Sequence, residues 1–554
     1  MERDRLTDHE SESFSPSPDG RRLDSGSRLV FRAAGLVAAL ALLSRGLGLG
    51  REIVVRQYLG VTTLEATAFD IASRFPEAIF LIVAGGAIGS AFIPTFAAYL
   101  SREDEAGSWR LFSAVLNLLT VATTAIAVLV MLLAAPFVTF FYADNIAQQP
   151  ALLPLTVALM RAMLLSPIIF GISGMLMATL NARQHFLLPA LAPSVYNVGI
   201  IAGGLIGAAL GGGAPLATAW GLAWGTVVGA LGHLLVQLPG LRGLGARYSP
   251  LLTVRDPGVR QVLRLMAPRV LGLSFSEVNK FVILFLTGAM ALGALPALNA
   301  AFRILILPQG ILGQALGIAA FPTLAALAAR AARDEMRAIL ADSLRLVLFL
   351  GLPATVLLAL LAEPYVTILF ERGLFDAEAT ALVASALRFY AIGLIALTAL
   401  EVVARGFYAL SDTLTPVLAG GLQIAVMWAL SLWFRDALFP AVGWRPLGGL
   451  ALGFSLSNVL EVTVLLWLLR RRLGGLGGRA LLDGAARMGA AALVMAAAIV
   501  AAVALLPQGA VWARALLGTA AGGVAYLLVC WLLRVEEWRR VVGMVGRRVG
   551  RASP

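Results

Sequence analysis

The segment GSAFIPTFAAYLSR (Gly89–Arg102) has a similar counterpart later in the chain, GIAAFPTLAALAAR (Gly317–Arg330). A second pair of similar segments is LNARQHFLLPAL (Leu180–Leu191) and FYALSDTLTPVL (Phe407–Leu418). Because the two pairs of matches share nearly the same offset along the chain, we interpret them as an internal repeat. The repeat predicts that the chain consists of two related halves.

The composition indicates the environment of these halves. The 554-residue chain is 59% hydrophobic and only 13% charged, which is more apolar surface than a water-soluble core can bury. Apolar runs of about 20 residues, the length that crosses a bilayer, recur from Leu29 to Leu533. We predict an all-α polytopic membrane protein with about fourteen spans. The spans are expected to begin near residues 29, 66, 107, 151, 187, 215, 259, 295, 338, 378, 414, 447, 485 and 511.

The repeat offset covers an even number of spans, so the two halves have the same orientation in the membrane. We predict a polar cytoplasmic tail (1–28), a first half of six spans (29–240), a cytoplasmic linker (241–258), a second half of six spans (259–472), two further spans (473–534) and a basic cytoplasmic tail (535–554). Parallel halves of this kind are typical of transporters that work by alternating access, with the substrate between the halves.

The net charge of +12 would favour nucleic-acid binding in a soluble protein, but its distribution indicates membrane topology. Most arginines fall in the tails and in loops that are expected on one side, which predicts that both termini are cytoplasmic. We therefore expect no nucleic-acid partner. Cys530 is the only cysteine, which excludes an intramolecular disulfide, and we expect neither a metal site nor a cofactor.

Ionisable side chains inside predicted spans are the candidates for a functional site, because a charge in a bilayer needs water or a partner. The stretch SRGLGLGREIVVRQYLG (Ser44–Gly60) holds three arginines and a glutamate, and further charges follow along the chain. The set includes Arg45, Arg51, Glu52, Arg56, Asp70, Arg74, Glu77, Glu277, Lys280, Arg303, Arg388, Glu401 and Arg405. Two simpler interpretations remain open. Arg51 and Arg56 could extend to the outer membrane interface, and Asp70 could pair with Arg74 four residues later.

Lys280 is the only lysine in the chain and follows Glu277 by three residues. One interpretation is an ion pair that neutralises both charges and fixes their helix. The other is a role in ion or proton coupling, since a buried ammonium can lose its proton.

The arginines suggest an anionic ligand. Guanidinium groups offer paired, permanently charged donors that match phosphate oxygens. Arginines of the first and eighth spans, one from each half, would converge on a central cavity in the predicted architecture. We therefore predict that arginines of these two spans bind a pyrophosphate group there.

Four segments, SRGLGLGREIVV, AGGAIGSAFIPTFAAY, FRILILPQGILGQALGIAAFPTLAA and ARGFYALSDTLTPV, resemble the MurJ (MviN) lipid II flippases of the multidrug/oligosaccharidyl-lipid/polysaccharide exporter superfamily. The resemblance covers nearly the whole chain. It implies a bacterial inner-membrane transporter of fourteen helices that moves the undecaprenyl-pyrophosphate-linked peptidoglycan precursor, lipid II, to the periplasmic leaflet for cell-wall biogenesis. It also implies a cationic central cavity, a lipid-tail groove at the last two helices, and substrate-binding roles for Arg45, Arg51 and Arg303.

Several positions differ from the family pattern. An arginine pair followed by a glutamate is usual in the second helix, where this chain has Phe80, Leu81 and Gly85. Thr67 replaces an acidic residue, and Ile306 replaces a glutamate. These differences weaken the assignment of lipid II as the substrate more than the assignment of the fold.

The remaining charged residues are candidates for cavity or coupling roles, namely Glu52, Arg74, Glu277 and Lys280. We expect coupling to the membrane potential or to a monovalent cation. The expected partners are a polyprenyl-pyrophosphate-linked glycan and membrane lipids, and the expected state is a monomer that can associate with cell-wall synthesis proteins.

Three alternatives to lipid II transport stay open. The first is an exporter of the same superfamily for another polyprenyl-linked oligosaccharide or amphipathic substrate. The second is a membrane glycosyltransferase, although RDPGVR in the longest loop offers one aspartate without a metal-ligand pattern. The third is a cell-wall scaffold that does not transport.

Overall fold

The computed structural model describes residues 20–84, 87–476, 478–507 and 509–538. Gly85, residues 1–19 of the predicted amino-terminal tail and residues 539–554 of the predicted basic tail lie outside these ranges. All regular elements in the described ranges are helices. Before the linker they are α1 (Gly20–Leu59), α2 (Leu64–Ala84), α3 (Ala87–Leu100), α4 (Glu105–Gln148), α5 (Leu152–Met163), α6 (Leu165–Ala182), α7 (Leu187–Leu210), α8 (Pro215–Leu235) and a 3₁₀ helix at Leu238–Leu241.

The helices after the linker continue to the end of the described chain. They are α9 (Pro257–Gly288), α10 (Ala294–Gln309), a π turn (Gly310–Gln314), α11 (Ala315–Ala329), α12 (Arg333–Leu360), α13 (Ala362–Phe370), α14 (Ala377–Ile392), α15 (Leu394–Ala409), α16 (Leu414–Trp433), a second π turn (Phe434–Leu438), α17 (Phe439–Ala441), α18 (Pro446–Leu473), α19 (Gly478–Ala504) and α20 (Val511–Leu532).

The length and hydropathy of these helices identify a multi-pass membrane protein. Within the described ranges, eleven helical runs are long and apolar enough to cross a bilayer, and the pair α14–α15, bent by 44°, gives a twelfth. The expected count of fourteen is not confirmed by this measure. The positions nevertheless agree, since helices begin at Leu187, Pro215, Leu414 and Val511, where spans were expected to begin.

Aspartates fix the start of three helices. The Asp256 carboxylate accepts hydrogen bonds from the N–H groups of Gly258 and Val259 at the start of α9. Asp104 and Asp376 cap α4 and α14 in the same way. Such caps satisfy backbone donors that a helix leaves free at its amino terminus.

Turns at matching positions in or directly after the repeated segments confirm the internal repeat. Glu103 and Ala331, which directly follow the first pair of segments, both have a positive φ, of 58° and 53°. Gln184 and Ser411, at matching positions of the second pair, both have a φ of 60°. Non-glycine residues seldom adopt this left-handed conformation, so its occurrence at matching positions of both pairs shows that the halves share local backbone geometry.

A glycine-rich interface holds α7 against α8. A Cβ built on Gly203 would lie 2.3 Å from the carbonyl oxygen of Gly221, and one on Gly207 would lie 2.5 Å from that of Ala217. Small residues at such crossings let the backbones approach closely, which is the main source of packing energy between helices in lipid. This pair also packs against α1, which carries the first charged residues of the site.

Backbone contacts join the halves where α1 ends. The Leu374 N–H donates to the carbonyl oxygen of Gln57 at 2.9 Å. Gly60 and Gly373 have φ values of 66° and 62°, and a Cβ on Gly373 would lie 2.3 Å from the Gln57 oxygen. We call these four residues the end contact. They bring main chain from the two halves together beyond Arg56.

Candidate functional site

A cavity of about 730 Å³ lies among α1, α2, α5 to α10, α14 to α16 and α18, with residues of both halves in its wall. Its lining is rich in charge for a site inside a membrane protein. The cationic lining residues are Arg51, Arg56, Arg74, Lys280 and Arg303, and the carboxylates are Glu52, Asp70, Glu77 and Glu461.

Arg56 forms the centre of a buried ion cluster and is only 2% exposed. Its Nε donates to Glu52 Oε1 at 2.8 Å, and its Nη2 donates to Asp70 Oδ2 at 2.9 Å. The interpretation that Arg56 extends to the membrane interface is therefore wrong. Pairing of Asp70 with Arg74 is also wrong, because Asp70 binds Arg56. The charge of Arg56 is neutralised by protein carboxylates and serves the fold.

Asn299 connects this cluster to the second half of the chain. From α10, its Nδ2 donates to Asp70 Oδ2 at 2.7 Å, while its Oδ1 accepts a hydrogen bond from Arg74 Nη2. Arg74 also forms an ion pair with Glu77 on its own helix, with 4.0 Å between the nitrogen and the oxygen. Arg74 is therefore held by α10 and by its own helix, and is less available to a ligand than the sequence suggested.

Three cations remain accessible in the cavity. Arg303 lies 3.8 Å from Glu52 and 3.8 Å from Glu77, which is beyond hydrogen-bond distance, and its side chain is 38% exposed. Arg51 also lines the cavity, and its guanidinium makes no hydrogen bond or ion pair with any residue in the described ranges. Lys280 donates to Glu277 at 2.8 Å but keeps 42% of its side chain exposed. These three groups, from α1, α9 and α10, could bind one anionic ligand.

Arg45 does not line this cavity. It donates a hydrogen bond to Gln314 in the first π turn, and its guanidinium packs against Gly310. The structure thus brings together Arg51 and Arg303 of the predicted trio and places Arg45 elsewhere. A substrate role for any of the three stays a prediction.

Apolar side chains occupy three of the positions that depart from the family pattern. Phe80, Leu81 and Ile306 all line the cavity, and the Phe80 ring packs on Phe170 with 4.3 Å between centroids. The Thr67 hydroxyl accepts a hydrogen bond from the Gly293 N–H at 3.1 Å. The cavity therefore has a cationic side and an apolar wall, a combination that fits an amphipathic ligand.

Sequence reasoning missed two residues of the lining, Asn299 and Glu461. An asparagine in an apolar helix gives no signal of a partner in the other half of the chain. Glu461 did give a signal, because it is the only ionisable residue between Pro446 and Leu469. Its isolation in an apolar span should have placed it among the candidates.

Comparison with known proteins identifies the family of the chain. The family model described as lipid II flippase MurJ matches residues 55–517. The chain belongs to the MurJ family. Its curated relatives include the lipid II flippase MurJ of Burkholderia cenocepacia, 30% identical over 450 residues, or 80% of this chain and 84% of that one. The probable lipid II flippase MurJ of Rhizobium tropici is 32% identical over 436 residues, or 79% of this chain and 80% of that one.

Solved structures confirm the fold of this MurJ family member. A structure described as lipid II flippase MurJ in an inward closed conformation aligns with a TM-score of 0.74 at 21% identity, covering 92% of this chain and 99% of that one. An inward-facing MATE-family multidrug transporter of the MOP superfamily aligns with a TM-score of 0.65 at 14% identity, covering 78% and 94%. The predicted all-α fold is therefore correct.

Proposed function

We propose that this MurJ family member moves lipid II across the bacterial inner membrane by alternating access. The observation that carries the proposal is the cavity into which the two halves contribute Arg51 and Arg303. Arg51 has no close carboxylate partner among the described residues, and the two carboxylates near Arg303 lie 3.8 Å away. The names of the curated relatives at 30% and 32% identity support the substrate class.

The accessible cations suggest how a pyrophosphate binds. Arg51 and Arg303 would each hold two phosphate oxygens with the fork of their guanidinium groups, and Lys280 would add a third charge. Glu52 and Glu77 lie near enough to Arg303 to keep it at the cavity wall. Their distances of 3.8 Å leave it free to move onto a ligand.

The size of the cavity supports a model in which only one part of the substrate enters it. A volume of about 730 Å³ is within the range of sites for small polar ligands and is too small for a polyprenyl chain as well. We propose that the headgroup enters the cavity while the lipid tail stays in the membrane, with α19 and α20 as its predicted groove.

Contacts at one end of α9 support the proposed topology. The Asn145 side chain donates to the Met290 carbonyl at 2.9 Å, and Arg435 donates to the Leu286 carbonyl at 3.0 Å. The last turn of α4 and the π turn after α16 therefore meet at the same end of α9, as expected if both are periplasmic. The opposite end of α9, with the linker before it, is then cytoplasmic.

The energy source follows from the charge of the substrate. Outward movement of an anionic headgroup is favoured by a potential that is negative inside, by about 2.3 kcal/mol per charge and 100 mV. We propose coupling to this potential without a cofactor. A monomer as the transporting unit stays a prediction. Coupling to a monovalent cation and association with cell-wall synthesis proteins stay predictions.

The test is complementation of a bacterium depleted of its own MurJ, combined with flipping of labelled lipid II in proteoliposomes. We expect rescue from lysis and a flipping rate that rises with an imposed potential. A chain that reaches the membrane in normal amount but neither rescues growth nor flips lipid II would refute the proposal.

A second candidate is export of a different amphipathic substrate. It is favoured by the apolar wall of Phe80, Leu81 and Ile306. In this case purified protein would bind a polyprenyl-linked oligosaccharide or an amphipathic drug more tightly than lipid II, and complementation would fail.

A further inference from the structure

Glu461 differs from the other carboxylates of the cavity. Glu52, Asp70 and Glu77 each lie within 4.0 Å of an arginine. Glu461, on α18, lines the same cavity and is only 8% exposed, yet among the described residues it has no ion pair. A buried carboxylate without a cation is unstable in its charged form.

The helices around Glu461 bring no compensating charge close to it. A Cβ on Gly420 of α16 would lie 3.6 Å from Glu461 Oε1, and α16 has no titratable residue from Leu414 to Trp433. On α15, Glu401 and Arg405 pair with each other at 2.7 Å. The remaining titratable groups that line the cavity from neighbouring helices are Tyr390 (α14), Tyr408 (α15), Arg303 (α10) and Lys280 (α9), and none from α12 lines it.

Most of the polar groups near Glu461 are hydrogen-bonded to one another, and only the Asn279 side-chain oxygen is buried without a hydrogen-bond partner among them. Both ends of the Gln423 side-chain amide are hydrogen-bonded. Its oxygen accepts a hydrogen bond from Asn279 at 3.0 Å, and its nitrogen donates one to Ser457 at 2.8 Å. Asn458 donates to the Phe454 carbonyl at 2.8 Å. A hard metal ion needs several free oxygen ligands, whereas a proton needs only the carboxylate.

We infer that Glu461 binds and releases a proton during the transport cycle. While the cavity is open to water on one side, a hydronium ion transfers its proton to one carboxylate oxygen and leaves as a water molecule. When the cavity then closes, the neutral acid avoids the desolvation of a charge. When water enters on the other side, the O–H bond breaks and the proton leaves to solvent. The role in the cycle rests on the proposed transport function, but proton binding itself needs no substrate.

The first test measures protonation directly in the purified full-length chain without lipid II. Infrared difference spectra between mildly acidic and alkaline buffer should show a carboxylic-acid band from the wild-type protein. The band should be missing in Glu461→Gln and present in Glu378→Gln, a control at an exposed carboxylate. Identical spectra from wild type and Glu461→Gln would overturn the inference, whether or not the chain flips lipid II.

The second test measures flipping in proteoliposomes at several pH values. The wild-type rate should change by up to about tenfold per pH unit on one side of the titration. Glu461→Gln should reduce the change to less than about twofold, and Glu461→Asp should restore it. If Glu461→Gln instead lowers substrate affinity equally at all pH values and leaves the infrared band intact, the carboxylate contacts a cationic group of the substrate and the proton site is refuted.

Discussion

Replacement of Arg303 by alanine should reduce transport strongly and leave the amount of folded protein nearly unchanged. Its two carboxylate neighbours are both 3.8 Å away, and 38% of the side chain is exposed. Pairs of this kind contribute at most about 1 kcal/mol to stability. The substitution should therefore change the free energy of unfolding only slightly.

The affinity for the substrate should fall more than the stability of the fold. A hydrogen bond to a charged group contributes about 1.5–3 kcal/mol, which corresponds to roughly a tenfold to hundredfold change in affinity. Arg303→Lys keeps the charge but offers a single ammonium in place of the two-pronged guanidinium. We expect its transport to lie between those of the alanine variant and the wild type.

The measurement is flipping of fluorescent lipid II in proteoliposomes, normalised to protein that elutes as a single folded species. Arg388→Ala is the matched control, because Arg388 is an exposed arginine paired with an exposed Glu363. Flipping at the wild-type rate by Arg303→Ala, at normal abundance, would show that Arg303 does not bind the substrate.

Three further substitutions test the fold around the cavity. Arg56→Met removes the close cationic partner of two buried carboxylates, so we expect a loss of about 3–5 kcal/mol, seen as low abundance and a lower Tm; an unchanged Tm would contradict the ion cluster. Gly203→Ala forces a methyl group to 2.3 Å from the Gly221 oxygen and should cost about 1–3 kcal/mol, measured by thermal unfolding, whereas no loss would mean that α7 and α8 are less tightly packed. Gly373→Ala puts a Cβ 2.3 Å from the Gln57 oxygen and should weaken the end contact, so we expect cysteines introduced into the cavity to react faster with an impermeant reagent; unaltered labelling would show that the end contact does not limit access to the cavity.

Local patterns in the sequence predicted the fold well. Hydropathy placed helix starts at Leu187 and Pro215 because a bilayer imposes one length and one polarity on each span. The repeated segments predicted two equivalent halves, and the shared left-handed turns at Glu103 and Ala331 confirm this at the level of the backbone. Both signals depend on residues that are close together in the chain.

The site was predicted less completely, because its contacts join residues that are far apart. Arg56 and Asp70 meet only where α1 and α2 lie side by side, and Asn299 reaches Asp70 from the other half. Hydropathy cannot distinguish a buried arginine with two partners from one that is free, so Arg51 and Arg56 looked alike. The structure separates them, since only Arg51 is left without a close partner among the described residues.

The ion cluster at Arg56 also bears on how the chain enters the membrane during synthesis. On its own, α1 would carry Glu52 and Arg56 into lipid with one carboxylate for several arginines, at a cost that isolated helices seldom bear. The second carboxylate, Asp70, lies on the next helix, where it pairs with Arg56. A hairpin of α1 and α2 that leaves the translocon as a unit can insert with its central charge already neutralised. Release of α1 before α2 has been made would expose that charge to lipid.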